Sequence, residues 1–148
     1  MTTPKIIGWR EHIGLPDLGI KSLNVKIDTG ARTSALHAHV VDVREMDGVK
    51  MVEFDLLNIM SKPASRHLCP VFDKRAVKNT GGIPEDRYII KTRMILGKRL
   101  WPVQVSLTDR TEMTFAMILG RKAVRQRNLV IDPGQSYLAG EPQPRRTL

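Results

Sequence analysis

Hydrophobic and polar residues alternate along most of this chain, in short segments that are separated by turn residues. A period of two is typical of β-strands that bury one face. The pattern predicts strands at Lys5–Trp9, Leu23–Asp28, Ala35–Arg44, Val49–Leu57, His67–Phe72, Arg87–Leu96, Leu100–Leu107 and Leu129–Asp132. We therefore expect an all-β fold.

Turn signals and one helix complete the predicted fold. Asp47-Gly48 is expected to join two strands as a tight hairpin, because glycine accepts a positive φ, and Gly97-Lys98 can do the same. The one helix expected runs from about Arg121 to Arg127. Hairpins at this spacing indicate a small closed barrel or a sandwich. We predict one domain over residues 1–139 and a disordered tail over 140–148, since GEPQPRRTL has nothing to bury.

Charge is distributed unevenly along the 148 residues, which carry a formal net charge of +9. Residues 1–74 hold 10 Lys and Arg against 9 Asp and Glu, whereas residues 75–148 hold 14 against 6. A basic half attracts anionic partners, which here include nucleic acid, the ribosome surface or an acidic peptide. The alternative is a basic surface that is simply solvated.

The location of the protein is predicted from three features. No apolar run approaches the roughly 20 residues needed to span a bilayer, and the N-terminal sequence MTTPKIIGWREH does not resemble a signal peptide. Cys69 is the single cysteine and cannot form an internal disulfide. We expect a cytoplasmic protein with no membrane partner.

The stretch LNVKIDTGARTSALHA, from Leu23 to Ala38, carries the strongest candidate chemistry. Val25 and Ile27 alternate with polar residues, so a strand delivers Asp28 directly to a turn. Gly30 permits a bend that a side chain would obstruct. Asp-Thr-Gly alone is a weak signal, because aspartate and glycine favour turns without any catalytic role.

Asp28-Thr29-Gly30 and its surroundings resemble the active-site loop of the retropepsin-like aspartic proteases. Phe115–Arg121 is similar to the late hydrophobic-hydrophobic-Gly element of that family, and Leu129–Asp132 fits its terminal dimerisation strand. KIDTGARTSALHA, Gly81–Arg87 and LTDRTEM followed by MILGR are similar to a bacterial subfamily labelled ATP-dependent zinc proteases. Its members are often encoded beside ATP-grasp ligases that add glutamate to a ribosomal protein.

The resemblance implies an aspartic endopeptidase of the retropepsin type, with Asp28, Thr29 and Gly30 as the catalytic residues. This hydrolysis needs two carboxylates about 3 Å apart that share one proton. A chain with one Asp-Thr-Gly must then form a homodimer, with one Asp28 from each subunit at the two-fold axis. The Gly81-Gly82 loop is a candidate flap over the substrate.

The ligase association implies, by resemblance, that the substrate is a glutamate-rich or glutamylated C-terminal tail of a ribosomal protein. Arg32 is the main candidate for binding it, because it follows the loop and can form a bidentate pair with a carboxylate. Arg87 and Arg121 can instead be structural, and Arg121 is expected to tie the helix to the region of the catalytic loop. The full set of candidate substrate-binding residues is Arg32, His37, Arg66, Lys78, Arg87 and Arg110.

Other functions are weighed against this one. His37-Ala38-His39 and His67-Leu68-Cys69 each place two potential zinc ligands on one face of a strand, but this spacing has no strong precedent and we predict no metal. Neither common phosphate-binding glycine motif occurs, so we predict no cofactor. Aromatic residues are only 5% of the chain, which supplies few rings for RNA stacking. The alternative function is a non-catalytic module that docks on the ribosome or on a glutamate ligase and modulates modification.

Overall fold

The fold is almost entirely β-sheet in the computed structural model, which describes residues 5–58, 60–78, 81–109 and 114–143. The strands are β1 (Lys5–Gly8), β2 (Arg10–Leu15), β3 (Ile20–Asp28), β4 (Ser34–Met46), β5 (Val49–Leu57), β6 (Pro63–Pro70), β7 (Asp73–Lys78), β8 (Pro84–Leu96), β9 (Arg99–Thr108), β10 (Met117–Gly120) and β11 (Leu129–Asp132). A helix, α1 (Arg121–Gln126), lies between the last two strands, and a 3₁₀ turn spans Pro16–Leu18.

The main sheet is ring-like. Its strands follow the order β10-β3-β2-β8-β9-β4-β5-β6, β7 pairs with β8, and β10 pairs with β4 as well as with β3. Strand β10 therefore joins both ends of the five-strand path from β3 to β4 and closes a ring of six strands, while β5 and β6 extend outward from β4. A second, two-stranded sheet pairs β1 with β11 in parallel. The all-β prediction is confirmed, and the predicted barrel takes the form of this ring.

Buried side chains form one hydrophobic core. The largest include Trp101, Phe54 and Met94, each at most 1% exposed. Strand β3 shows how the pattern of the sequence produces this core: Val25 and Ile27 point inward, whereas Lys26 between them is exposed. The alternation that predicted the strand is the alternation that buries it.

Most of the predicted elements agree with the structure. β5 and β11 have the predicted bounds, and α1 ends one residue earlier than expected. The hairpin at Asp47-Gly48 is also confirmed, since φ is 52° at Asp47 and 80° at Gly48. The hydrophobic pattern did not predict β2, β7 or β10. Strand β10 was expected only from the family resemblance. Strands β2 and β7 are rich in charged or polar residues, so they lack a clear hydrophobic alternation.

The end of the chain is described as far as residue 143. Gln143 N donates a hydrogen bond to Gly97 O at 2.8 Å, and Ser22 Oγ donates one to Glu141 Oε2 at 3.0 Å. Residues 144–148 of the tail lie outside the described residues, so their disorder stays a prediction, as does the domain boundary at 139. No helix in the described part of the chain is long and apolar enough to cross a bilayer.

Candidate active site

The Asp28 loop lies at the end of β3, where the strand leaves the core. Asp28 is half-buried in the single chain, and the two residues after it are exposed. Its Oδ1 accepts a hydrogen bond from Gly30 N at 3.1 Å, and its carbonyl accepts one from Ala31 N at 3.2 Å. These bonds close a tight turn and leave one face of the carboxylate open.

Strand β10 supports the loop from one side. It runs parallel to β3, with Gly120 opposite Asp28, and antiparallel to the start of β4. Gly120 must be a glycine, because a Cβ there would lie 2.6 Å from the carbonyl carbon of Thr33. Its amide donates to Ser34 Oγ at 3.0 Å. The two strands that flank the Asp28 loop are thus held together by a strand from the far end of the sequence.

Helix α1 is attached directly to the same loop. Arg121 N donates to Ala31 O at 2.8 Å, and Lys122 N donates to Arg32 O at 3.1 Å. The guanidinium of Arg121 also donates to Thr29 O, with 3.1 Å between Nη1 and the carbonyl oxygen. The expectation that Arg121 ties the helix to the region of the catalytic loop is therefore confirmed.

The candidate substrate-binding residues are separated in the structure. Arg32 is exposed beside the Asp28 loop. Arg66 instead lies on β6, where its guanidinium donates to both carboxylate oxygens of Asp55, at 2.8 and 3.1 Å. That pairing raises the pKa of Arg66 and lowers that of Asp55. Arg110 and the side chain of Lys78 lie outside the described residues, so their roles stay predictions.

His37 and Arg87 occupy enclosed positions rather than open ones. The His37 side chain is fully buried, with Nδ1 3.4 Å from Thr108 O and Nε2 3.3 Å from Ser61 Oγ. Arg87 is 12% exposed on β8, and its Nη2 lies 3.7 Å from Glu85 Oε2. Contact between substrate and His37 would require the loop around Ser61 to move, so this geometry favours a structural role for the histidine.

The two histidine-containing pairs considered as zinc ligands have other partners. His39 Nδ1 lies 2.9 Å from Asp109 Oδ2, and Ser65 Oγ lies 2.7 Å from Nε2 of His67. Burial lowers the pKa of His67 and raises the pKa of the Cys69 thiol, which disfavours the thiolate that a metal needs. Among the described residues, no group of three or more His, Cys, Asp or Glu is arranged to hold a metal ion.

A buried carboxylate on β2 was not singled out from the sequence. Glu11 is fully buried on β2 and accepts hydrogen bonds from Gly8 N at 2.6 Å, Leu138 N at 2.9 Å and Ala139 N at 3.1 Å. It therefore fastens the segment after β11 to the start of the chain. The only signal in the sequence is a glutamate close to an apolar run, which ordinarily indicates a surface position.

The candidate flap is the turn between β7 and β8. These strands form an antiparallel hairpin that runs from Asp73 opposite Ile89 to Lys78 opposite Pro84. Gly82, at its tip, has a φ of 76°. Residues 79 and 80 lie outside the described residues. A glycine-containing tip on a long hairpin is suited to open and close over a cleft, so a flap role stays a prediction for this segment.

Known structures support the fold. A crystal structure of a protein of unknown function from Legionella pneumophila superposes with a TM-score of 0.77 and covers 93% of this chain and 99% of the other. The sequences are 24% identical, so this similarity concerns the fold alone.

The relatives found by sequence are named as ligases. The chain is 39% identical over 139 residues to a probable alpha-L-glutamate ligase of Desulfotalea psychrophila, and 36% identical over 143 residues to one of Parasynechococcus marenigrum. The matches cover 93% and 95% of this chain but only 30% of each relative. The chain thus spans about a third of the length of the curated relatives it matches.

A family model matches residues 6–142, which include the Asp28 loop, β10, α1 and the Glu11 contacts. The expected family resemblance is confirmed. The chain belongs to the RimB-like family of retropepsin-like aspartic endopeptidases.

Proposed function

We propose that this chain is an aspartic peptidase that acts as a homodimer. The observation that carries the proposal is the half-buried carboxylate of Asp28 on a turn closed by Gly30 and braced by β10 and α1. A carboxylate that is held rigidly in this way can be positioned against a second carboxylate to within a fraction of an ångström.

The chemistry requires a second carboxylate, which a twin chain would supply. Two aspartates about 3 Å apart cannot both ionise, so they hold one proton between them. The ionised member removes a proton from water, and the protonated member polarises the scissile carbonyl. The two protonation steps then belong to the pair of Asp28 residues rather than to either one.

Exposed apolar residues support a candidate dimer surface at the chain ends. Ile6 on β1 is 54% exposed and Val130 on β11 is 47% exposed, and these residues are direct partners in the parallel register. A second copy that covered them would remove apolar surface from water. The dimer therefore has a candidate contact that does not use the Asp28 loop itself.

The proposed substrate is a glutamate-rich or glutamylated C-terminal tail of a ribosomal protein in the cytoplasm. Support comes from the basic second half of the chain and from relatives named as glutamate ligases. An acidic peptide near a carboxylate pair needs local cations, and Arg32 beside the Asp28 loop can supply one. The ribosomal protein and the ligase are the expected partners.

The decisive experiment incubates purified protein with an oligoglutamate-tailed peptide and reads the product masses. Stepwise loss of single glutamates indicates trimming from the end, and one internal cut indicates an endopeptidase. Sedimentation of the same sample measures whether the chain dimerises. A monomer that still hydrolyses the peptide would contradict the two-aspartate mechanism.

The second candidate is a non-catalytic module that binds a glutamate ligase or the ribosome and modulates modification. It is favoured by one finding, namely that this chain matches only 30% of relatives whose names describe ligation. Asp28→Asn separates the two candidates. Loss of cleavage with retained peptide binding supports the peptidase, whereas an unchanged effect on modification supports the module.

A further inference from the structure

A cavity of about 610 Å³ lies beside the catalytic loop and is strongly cationic. Its lining consists of Arg32, Arg121, Lys122, Arg125 and Gln126. Four of these five residues carry a positive charge, and none carries a negative one. Cations gathered around one cavity repel each other unless an anion occupies it, so the arrangement indicates an anionic ligand.

The cations of this pocket differ from four arginines elsewhere in the molecule. Arg44, Arg66, Arg75 and Arg93 each lie within 2.9 Å of a carboxylate oxygen. No ion pair within the described part of the chain involves Arg32, Lys122 or Arg125. Arg32, Lys122 and Arg125 are therefore available to an anion from outside the chain.

The pocket is rigidly connected to Asp28. Two backbone hydrogen bonds join Arg121 and Lys122 to the carbonyls of Ala31 and Arg32, and Arg121 Nη1 reaches Thr29 O. The loop and the first turn of α1 must then move as one body. An anion held in the pocket would keep a fixed position relative to the carboxylate of Asp28.

We infer that this pocket is a carboxylate subsite, which holds acidic side chains of a peptide substrate outside the cleavage centre. Lys122 and Arg125 are the residues that select for acidic peptide, and neither was singled out from the sequence. Guanidinium groups bind carboxylates through paired hydrogen bonds, and the Gln126 amide can add a neutral donor. The inference rests on the proposed peptidase function, because it takes the pocket to serve the same substrate.

An acidic peptide fits the pocket better than RNA does. Single-stranded RNA is usually held by aromatic rings that stack on bases, and no aromatic residue lines this cavity. The pocket is also bonded to a loop whose proposed chemistry acts on peptide bonds. Preferential binding of RNA over an acidic peptide would overturn the inference.

The test measures binding separately from hydrolysis. A fluorescent oligoglutamate peptide is titrated into Asp28→Asn protein, with and without the charge reversals Lys122→Glu and Arg125→Glu together. We expect the Kd to rise at least about tenfold, because charge-assisted hydrogen bonds are lost. Lys21→Glu with Lys50→Glu is the matched control, since it changes the net charge equally at two exposed strand lysines. An equal rise in this control would overturn the inference.

Three further measurements complete the design. Lys122→Gln with Arg125→Gln, checked by its melting temperature, excludes an effect of misfolding. On catalytically active protein, the charge reversal should raise KM for the glutamate-tailed peptide more than it changes kcat, and Lys21→Glu with Lys50→Glu should change neither. A short RNA that displaces the peptide at lower concentration than unlabelled oligoglutamate does would also overturn the subsite.

The two proposals can fail separately. If the protein hydrolyses no peptide but the pocket variants still lose binding relative to the control, the subsite stands and the peptidase proposal fails. If hydrolysis is observed and the pocket variants bind like the control, the subsite fails and the peptidase proposal stands.

Discussion

Two carboxylates of this chain, Asp28 and Glu11, lie in opposite situations. Glu11 is fully buried and accepts three backbone hydrogen bonds from its own chain. Asp28 is half-buried and accepts one, from the glycine two residues later. A carboxylate with several donors is satisfied and structural, whereas one that is mounted rigidly and left open is available for chemistry. Substitutions at these carboxylates and at the strand that supports Asp28 test that difference.

The largest effect is expected from Asp28→Asn. The asparagine amide cannot remove a proton from water, so we expect kcat/KM on an oligoglutamate-tailed peptide to fall by at least about a thousandfold. The fold should persist, because Asp28 makes few bonds and the amide oxygen can still accept from Gly30 N. Product masses and a thermal melt measure the two properties. Hydrolysis at an undiminished rate would mean that Asp28 is no more catalytic than Glu11.

Glu11→Gln should show the reverse behaviour. An amide keeps one acceptor oxygen and brings a donor group against backbone N–H groups, so we expect the free energy of unfolding to fall by about 2–4 kcal/mol. Activity per folded molecule should change little. Urea unfolding measures the loss, and Glu45→Gln, at an exposed position on β4, is the control with an expected change below about 0.5 kcal/mol. Equal stability of the two variants would refute the structural role of Glu11.

Gly120→Ala tests how β10 positions Asp28 and leaves the charge of Asp28 unchanged. The added Cβ meets the backbone of Thr33, so β10 must shift away from the start of β4. We expect kcat to fall roughly tenfold to a hundredfold through misplacement of the loop, with a loss of about 1–3 kcal/mol in stability. Gly134→Ala is the matched control, because a Cβ there would make only an ordinary 3.5 Å contact. Wild-type kinetics for Gly120→Ala would show that the brace is dispensable.

The smallest effect is expected at Asp17, a carboxylate that is paired with the guanidinium of Arg93. Hydrogen bonds from the Arg93 guanidinium hold the pKa of Asp17 below its ordinary value of 3.8. A lowered pKa in the folded state stabilises the protein above the ordinary value, and this stabilisation is lost as the pH falls through the lowered one. Asp17→Asn should therefore lower the melting temperature slightly at pH 7, and the difference should shrink as the pH falls below 3.8. A larger difference in melting temperature between wild type and Asp17→Asn at pH 2 than at pH 7 would contradict a lowered pKa of Asp17.

The hydrophobic pattern predicted those parts of the fold whose burial follows local alternation. Val49–Leu57 and Leu129–Asp132 have apolar residues at the expected spacing, and the structure gives the predicted bounds. Strand β2 was missed because its buried Glu11 interrupts the pattern. Two of the three partners of that carboxylate lie 127 and 128 residues away in sequence, so no local signal could reveal them.

The candidate site was predictable only in part, for the same reason. Asp28-Thr29-Gly30 is contiguous and could be read directly. The role expected for Arg121 came from the family resemblance and is confirmed by its bond to Thr29 O. The cationic pocket needed the structure, since Arg32 and Arg125 come together only when α1 packs on the loop. The enclosed position of His37 likewise depends on Ser61 and Thr108, which lie on separate segments.

The large separation in sequence between the Asp28 loop and the elements that support it, β10 and α1, has a consequence for biosynthesis. Thr29 and Arg121 are 92 residues apart, so a nascent chain displays the Asp-Thr-Gly sequence long before β10 and α1 have been translated. During that interval the loop lacks the strand that fixes its backbone. An incomplete chain thus carries Asp28 before the strand and the helix that fix its position exist, so the geometry of the loop is set only after residue 121 has been made.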